Sequence, residues 1–265
     1  YISSSMKAEK LDVVTLNLNH HPGEVEEIIT REIRQHAIDV VATGGLSFQY
    51  NAIRRVVETA KKVCPGIITI VGGGIITSDP VTSMTALEHV DYGVVGEGEQ
   101  TIRELGRCLE EGTPIHGVNG VIYRHNGVFM QTLKRTEIKD LDSLPWPDYD
   151  GFDLEQYLAS SPAISGLNKT HTVFMIASRS CPYNCTFCFH TTGQKYRQRS
   201  LDKFFEELEY MIARYKIDFL CLADELFSVN ARRVREFCQR IRDYDLRWWA
   251  QFRVDKVSEE LLDLL

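Results

Sequence analysis

Three cysteines crowd into eight residues of the run SRSCPYNCTFCFH: Cys181, Cys185 and Cys188, spaced C-x3-C-x2-C. Thiolates are the protein ligands of iron–sulfur clusters, and a cubane normally takes four of them. Three close ligands would leave one iron with open positions. That suits a catalytic centre better than an electron carrier, by the same open-site reasoning that separates catalytic from structural zinc. Zinc with His190 as fourth ligand is the competing reading of the run. Structural zinc sites usually draw on two separated ligand pairs, so one tight knot followed by a histidine fits that reading less well. A thiol redox pair fits less well again, because no isolated C-x-x-C opens a helix in a thioredoxin-like context.

The rest of the composition frames this knot. Seven cysteines is an odd number, and a secreted disulfide framework would spread an even set along the chain. Cys64, Cys108, Cys221 and Cys238 therefore read as buried apolar residues of a cytoplasmic protein. Over 265 residues, 43% hydrophobic and 25% charged content excludes disordered and collagen-like chains and allows two domains. No apolar run reaches the length of a membrane span, and the first residues lack a signal peptide's basic and apolar regions. A net charge of −7 argues against a sequence-independent nucleic-acid binder.

The elements that must position the cysteines follow from hydrophobic periodicity. Strand-like runs at 12–18, 38–43, 67–71 and 91–95 alternate with stretches of helical spacing. Val25, Ile28, Ile29 and Ile33 share one helix face, as do Ile53, Val56, Val57 and Ala60. Strands separated by helices imply parallel pairing and a doubly wound sheet, in which ligands bind beyond the carboxyl ends of the strands. Those ends are glycine-rich: Gly44-Gly45-Leu46-Ser47, Gly72-Gly73-Gly74 and Gly96-Glu97-Gly98-Glu99. One such turn is ordinary βα punctuation, whereas three along one sheet edge favour a bound ligand. Neither GxxxxGK[ST] nor GxGxxG occurs, so a nucleoside triphosphate or dinucleotide is not indicated.

A hairpin is predicted from 119–123 and 128–132, turning at Arg124–Gly127, and an irregular acidic stretch with two prolines follows it. We place a first domain at 1–134, a linker at 135–170 and a second domain at 171–265. The second domain opens with a strand at 172–178 that feeds the cysteine loop. It continues with a helix from Leu201, a strand at 217–223, a helix at 231–242 and a strand at 247–253. Three βα units suit the start of a βα barrel, whose functional groups gather at strand carboxyl ends. The cysteine loop, Asp224-Glu225 and Arg253 all occupy that position.

With these residues in view, CPYNCTFC resembles the signature loop of radical S-adenosylmethionine (SAM) enzymes, and the runs YRQRS (196–200), LADELF (222–227) and QFRVD (251–255) resemble the same superfamily. The upstream runs VVGGGIITSDP, VVGEGEQTIREL and LDSLPWPDYDGFD resemble the branch with an N-terminal cobalamin-binding domain. The fold this implies is α/β: a Rossmann-like, cobalamin-binding-like doubly wound sheet, followed by the first half of a partial (βα) radical SAM barrel.

The resemblance implies that Cys181, Cys185 and Cys188 hold a 4Fe-4S cluster whose fourth iron binds the amino and carboxylate groups of SAM. It places Phe187 near the adenine, Asp224 and Glu225 near the methionine amino group, and Arg253 near the SAM carboxylate. A helix N-cap, for the acidic pair, and a surface ion pair, for Arg253, are the plain readings of those residues. Gly44, Gly45, Leu46, Ser47, Gly72, Gly73, Gly74, Glu97, Gly98 and Glu99 correspond to loops that receive cobalamin. Gly44 departs from the pattern, which often has serine there.

The implied reaction is methylation of an unactivated carbon in a small-molecule or peptide substrate, fed by a flavodoxin- or ferredoxin-type electron donor. Cyclisation or rearrangement, with a non-binding cobalamin-like domain, is one alternative, and a non-enzymatic zinc-stabilised module is the other. The segment LNHHPG (18–23) mimics the axial histidine motif of some relatives but lacks its leading aspartate, so His20 reads as a solvated loop residue. By the same comparison, the first βα unit of the sheet and the later half of the barrel are expected beyond this stretch, which alone should expose apolar strand edges.

Overall fold

The computed structural model describes residues 1–160 and 171–265, so the end of the predicted linker, at 161–170, lies outside the described residues. The chain forms two compact units, Tyr1–Ile138 and Lys139–Leu265. Among the described residues no helix is long and apolar enough to cross a membrane.

The first unit is built on a sheet of five strands in chain order: β1 (Val40–Gly44), β2 (Ile68–Gly72), β3 (Tyr92–Val94), β4 (Val121–His125) and β5 (Val128–Gln131). The first three are parallel, and β4 and β5 are antiparallel additions. Its helices are α1 (Ile2–Ala8), α2 (Val25–Gln35), α3 (Tyr50–Val63), α4 (Gly74–Ser78), α5 (Pro80–Ala86) and α6 (Gly98–Glu111). Successive strand residues point to opposite faces, and both faces are covered here. Val71 packs with Ile53, Val57, Ile76 and Met84 on one side, while Ile70 and Val94 pack with Ile102 and Leu105 on the other. The doubly wound α/β arrangement read from the alternation is the one observed.

Local chemistry explains the punctuation. Asp79 caps α5 by accepting from the Thr82 N–H at 3.1 Å, with Pro80 in the first helical position, where its missing N–H costs nothing. Helix α6 ends on Gly112 in the left-handed region, φ 66°. The β4–β5 hairpin turns through Asn126 and Gly127, φ 50° and 79°, two residues able to supply the positive φ that a tight two-residue turn needs.

Two expectations fail in this unit. The run 12–18 is not a strand: residues 11–17 belong to no assigned element, and a 3-10 turn covers Leu18–His20. Its apolar residues are satisfied by packing instead, with Leu16 and Leu18 against Ile28, Ile29 and Ile33 of α2. A ladder needs a partner strand, which apolar alternation cannot supply. Cys64, expected inside, is exposed just after α3, and Cys108 is half-buried, whereas Cys221 and Cys238 are buried as expected.

The second unit contains α7 (Leu154–Ser160), β6 (Thr172–Met175), β7 (Ser178–Arg179), β8 (Arg197–Gln198), α8 (Leu201–Tyr215), β9 (Phe219–Leu222), α9 (Ala231–Ile241), β10 (Arg247–Trp249) and α10 (Glu259–Leu264). Strands β10, β9 and β6 form a parallel sheet in that order, joined through α8 and α9. Phe204, Phe205, Leu208, Phe227 and Phe237 are each no more than 1% exposed and fill the space between helices and sheet. Burying each such side chain is worth roughly 1.5–3 kcal/mol. Ser200 caps α8 through the Lys203 N–H, 3.2 Å, and the helix stops at Lys216, φ 53°. The predicted strand 172–178 breaks after Met175. The chain then pairs as β7 with β8, antiparallel, and the cysteine loop lies between those two short strands.

Candidate functional site

The cysteine loop is held at its base before any cysteine is reached. Ala177 and Ser178 are buried at the carboxyl end of β6, and their N–H groups both donate to one oxygen of Asp224, at 2.7 and 2.9 Å. The Ser178 hydroxyl donates to the other oxygen at 2.6 Å. Asp224 follows β9 and is 1% exposed, so it spends its carboxylate on these donors. Burial pushes its carboxyl above the usual carboxylate range, against the pull of the Ser178 and Ala177 donors and of Arg233. Both Asp224 oxygens face the protein's own backbone and hydroxyl.

Ser180, fully buried, adopts φ 67°, a left-handed conformation that costs a non-glycine residue roughly 1–2 kcal/mol. Its hydroxyl meets the Thr192 carbonyl and hydroxyl, both at 3.1 Å. Arg197 completes the closure by donating to Ser180 Oγ at 3.1 Å and to the Thr192 carbonyl at 2.8 Å. Behind it, Arg199 Nη1 pairs with Glu207 Oε2 at 2.5 Å, and the Tyr149 hydroxyl donates to Glu207 Oε1 at 2.5 Å. Arg233 donates to the Ala177 carbonyl at 3.2 Å. These buried arginines were not singled out from sequence. The available signal for Arg197 and Arg199 was the alternation in YRQRS, which sends residues two apart to the same side of an extended run.

Within the loop Cys181 and Cys185 are half-buried and Cys188 is exposed, and the Cys188 N–H donates to the Cys185 carbonyl at 3.0 Å. Desolvation pushes the Cys188 thiol up, as do the neighbouring Cys185 and Cys181 sulfurs and the Glu225 carboxylate. Three thiols and a carboxylate within electrostatic reach form a donor set that a positively charged iron assembly would stabilise. The donor chemistry therefore fits an iron–sulfur cluster. Among the described residues no three His, Cys, Asp or Glu side chains converge on a point that would hold one metal ion. Phe187 projects from the loop at 87% exposure, and Phe189 is exposed beside it.

His190 Nδ1 lies 3.0 Å from Glu225 Oε2, and the Thr192 hydroxyl donates to Glu225 Oε1 at 3.3 Å. His190 Nε2 is buried without a partner. Glu225 thus faces the loop, as expected of a strand-end residue, and each of its oxygens meets one group of the loop's outgoing end. Arg253 also reaches the loop: its guanidinium carbon sits 3.8 Å from the centroid of the Tyr183 ring while it pairs with Asp255 at 2.8 and 3.0 Å.

In the first unit the glycine loops are brought together. Gly44 and Gly72 are register partners at the ends of β1 and β2. The Gly45 N–H donates to the Gly72 carbonyl at 3.3 Å, and Ile75 N–H donates to the Gly45 carbonyl at 3.0 Å. A Cβ on Gly44 would stand 2.7 Å from the Gly72 oxygen, and one on Gly73, φ +85°, would stand 2.8 Å from the Gly45 oxygen. No side chain fits either place. Leu46 is exposed and its N–H is received by Gln49 Oε1 at 2.9 Å, Ser47 opens a 3-10 turn, and Gly74 begins α4. Glu97 and Glu99 are buried, on either side of Gly98 at the start of α6. Glu97 accepts the Ile138 N–H at 2.7 Å. His20 is half-buried and meets the Asn17 side chain at 3.1 Å.

Comparisons with known proteins agree with this architecture. Residues 1–106 match the B12 binding domain family. An uncharacterised methyltransferase of Pyrococcus horikoshii is 28% identical across 97% of this chain and 55% of its own length. The anaerobic magnesium-protoporphyrin IX monomethyl ester cyclase of Rubrivivax gelatinosus is 28% identical across 90% of this chain and 43% of its own. The chain thus spans about half the length of these curated relatives. Among solved structures, the radical S-adenosylmethionine methyltransferase TsrM from Kitasatospora setae superposes with a TM-score of 0.78 at 18% identity, over 99% of this chain and 53% of that one. That likeness is one of fold.

Proposed function

We propose that the chain belongs to the radical SAM superfamily, in the branch with an N-terminal cobalamin-binding domain, and that it is the cofactor-bearing part of a cobalamin-dependent radical SAM methyltransferase. The observation that carries this is the cysteine trio on one base-stapled loop at the carboxyl end of a parallel βα sheet. When bound, a 4Fe-4S cluster with SAM and cobalamin supplies one-electron cleavage of a carbon–sulfur bond to a deoxyadenosyl radical, together with a methyl carrier.

The chain's own residues divide the remaining work. Cys181, Cys185 and Cys188 provide three thiolates and leave one iron free for an exchangeable ligand. Phe187, exposed on the loop, offers an apolar face to an adenine ring. Gly44, Gly45, Leu46 and Ser47, with Gly72, Gly73 and Gly74, stand at the carboxyl ends of β1 and β2, where they would receive a cofactor tail. Labile thiolate chemistry suits a reducing cytoplasm and a flavodoxin- or ferredoxin-type donor.

A cyclase or rearrangement reaction is the second reading, favoured by the cyclase relative at the same 28% identity. Anaerobic reconstitution separates the readings. With iron, sulfide, hydroxocobalamin, SAM and a reductant, methylation chemistry is expected to yield both deoxyadenosine and S-adenosylhomocysteine. A cyclase yields deoxyadenosine alone. Iron and sulfide absent from the wild-type chain, or still bound after Cys185→Ala, would refute the site.

A further inference from the structure

We infer that the adjacent carboxylates Asp224 and Glu225 brace the two ends of the cysteine loop from the neighbouring strand, so that Glu225 is a positioning residue for the loop. The inference rests on the cluster reading proposed above. Residues that follow each other at a strand end tend to point opposite ways, and here the two carboxylates diverge. Asp224 turns into the protein and takes the Ala177 and Ser178 N–H groups, the incoming end of the loop. Glu225 turns out and takes His190 Nδ1 and the Thr192 hydroxyl, the outgoing end.

Each Glu225 oxygen thus holds one partner on the loop's outgoing end, and its remaining lone pairs stay open to further donors. The segment between Ser178 and His190 holds all three cysteines and several exposed residues, among them Cys188, Phe187 and Phe189, so it packs little of its own surface. Its conformation must be imposed at the ends, where closing a flexible loop carries an entropic cost. Ser180, Thr192 and Arg197 tie the ends to each other, and the acidic pair ties them to β9. A strand is a stiffer reference than a loop. The spacing of the three sulfurs is thereby referred to the sheet, as outer partners of metal ligands commonly do.

The test is cluster lifetime in the full chain, reconstituted air-free with iron and sulfide and then exposed to a chelator, with loss followed by visible absorbance. Glu225→Ala and His190→Ala are each expected to lose the cluster on the order of tenfold faster than wild type. The double variant should be no faster than Glu225→Ala alone, because that change already removes the His190 link. Glu225→Gln, whose amide oxygen can still receive His190, should hold its cluster at nearly the wild-type rate. That variant also separates loss of the brace from loss of the fold, which far-UV circular dichroism checks in Glu225→Ala.

Wild-type lifetime in Glu225→Ala overturns the brace. So does a Glu225→Gln variant that bleaches like Glu225→Ala. A Glu225→Ala chain that keeps its cluster but loses the change SAM produces in the reduced cluster's EPR spectrum would make Glu225 a ligand contact instead. Failure of the wild-type chain to load iron and sulfide refutes the cluster reading itself, a distinguishable result.

Discussion

Replacing Asp224 by alanine and by asparagine should separate its hydrogen-bonding from its charge. Both buried N–H groups, of Ala177 and Ser178, converge on a single carboxylate oxygen, and only the Ser178 hydroxyl uses the other. Alanine leaves two buried donors unsatisfied at about 1–3 kcal/mol each, while the hydroxyl can turn elsewhere. Relief from burying a charge offsets part of this, which leaves a net loss of about 3 kcal/mol. Asparagine can keep its amide oxygen under both N–H groups and donate its NH2 to the Ser178 hydroxyl, so its cost should stay below about 1 kcal/mol.

The assay is favoured by an accident of composition. Trp146, Trp248 and Trp249 are the chain's three tryptophans, and all fall in the unit that begins at Lys139. Tryptophan fluorescence in urea therefore reports that unit alone. With a slope of about 2 kcal/mol per molar, the alanine variant's midpoint should fall by about 1.5 M and the asparagine variant's by under about 0.5 M. An asparagine variant as damaged as the alanine one would show that the charge, and not the acceptor, holds the loop base. An alanine variant within about 0.5 kcal/mol of wild type would refute the structural role altogether.

Three further outcomes follow from the same geometry. Gly73→Ala should destabilise the first unit by about 2–4 kcal/mol, combining positive φ with backbone overlap; it should appear in far-UV circular dichroism without a matching change in tryptophan fluorescence. Glu207→Ala strands the buried Arg199 guanidinium and should cost about 3–5 kcal/mol, again read by tryptophan fluorescence in urea. Tyr244, desolvated and donating to Glu209 at 2.7 Å, has its phenol pushed up from 10.0 to about 12. Because the folded value is raised, its contribution is complete below pH 10.0 and lost as pH rises through about 12. Ultraviolet difference titration of wild type against Tyr244→Phe should show that late-ionising phenol, and a phenol titrating near 10 would contradict the burial.

What could be read from sequence was whatever is local. The knot Cys181–Cys188, the Asn126-Gly127 turn and the helix faces of α2 and α3 each declare themselves within a few residues, through spacing or a φ preference. The tasks of Asp224 and Glu225 do not. Their partners lie 46 and 47 residues away for Asp224 and 33 and 35 for Glu225, so the same acidic pair suits a helix cap, a ligand contact or a brace until the fold places it. The run 12–18 was misread for a related reason: alternation marks which side chains seek cover but not whether helix or strand provides it. The glycines were legible as strand-end turns, while the meeting of Gly44 with Gly72 and of Gly73 with Gly45 was not.

That meeting changes how ancestry should be interpreted. Bare main chain touching bare main chain would force the same residue at 44 and 73 in descendants that had discarded every ligand, since folding alone forbids a methyl group there. A survey of relatives that counts those positions would score vitamin capture where only steric necessity operates. Better witnesses are side chains that packing does not dictate, such as Leu46 and the solvent-facing Phe48, 81% exposed.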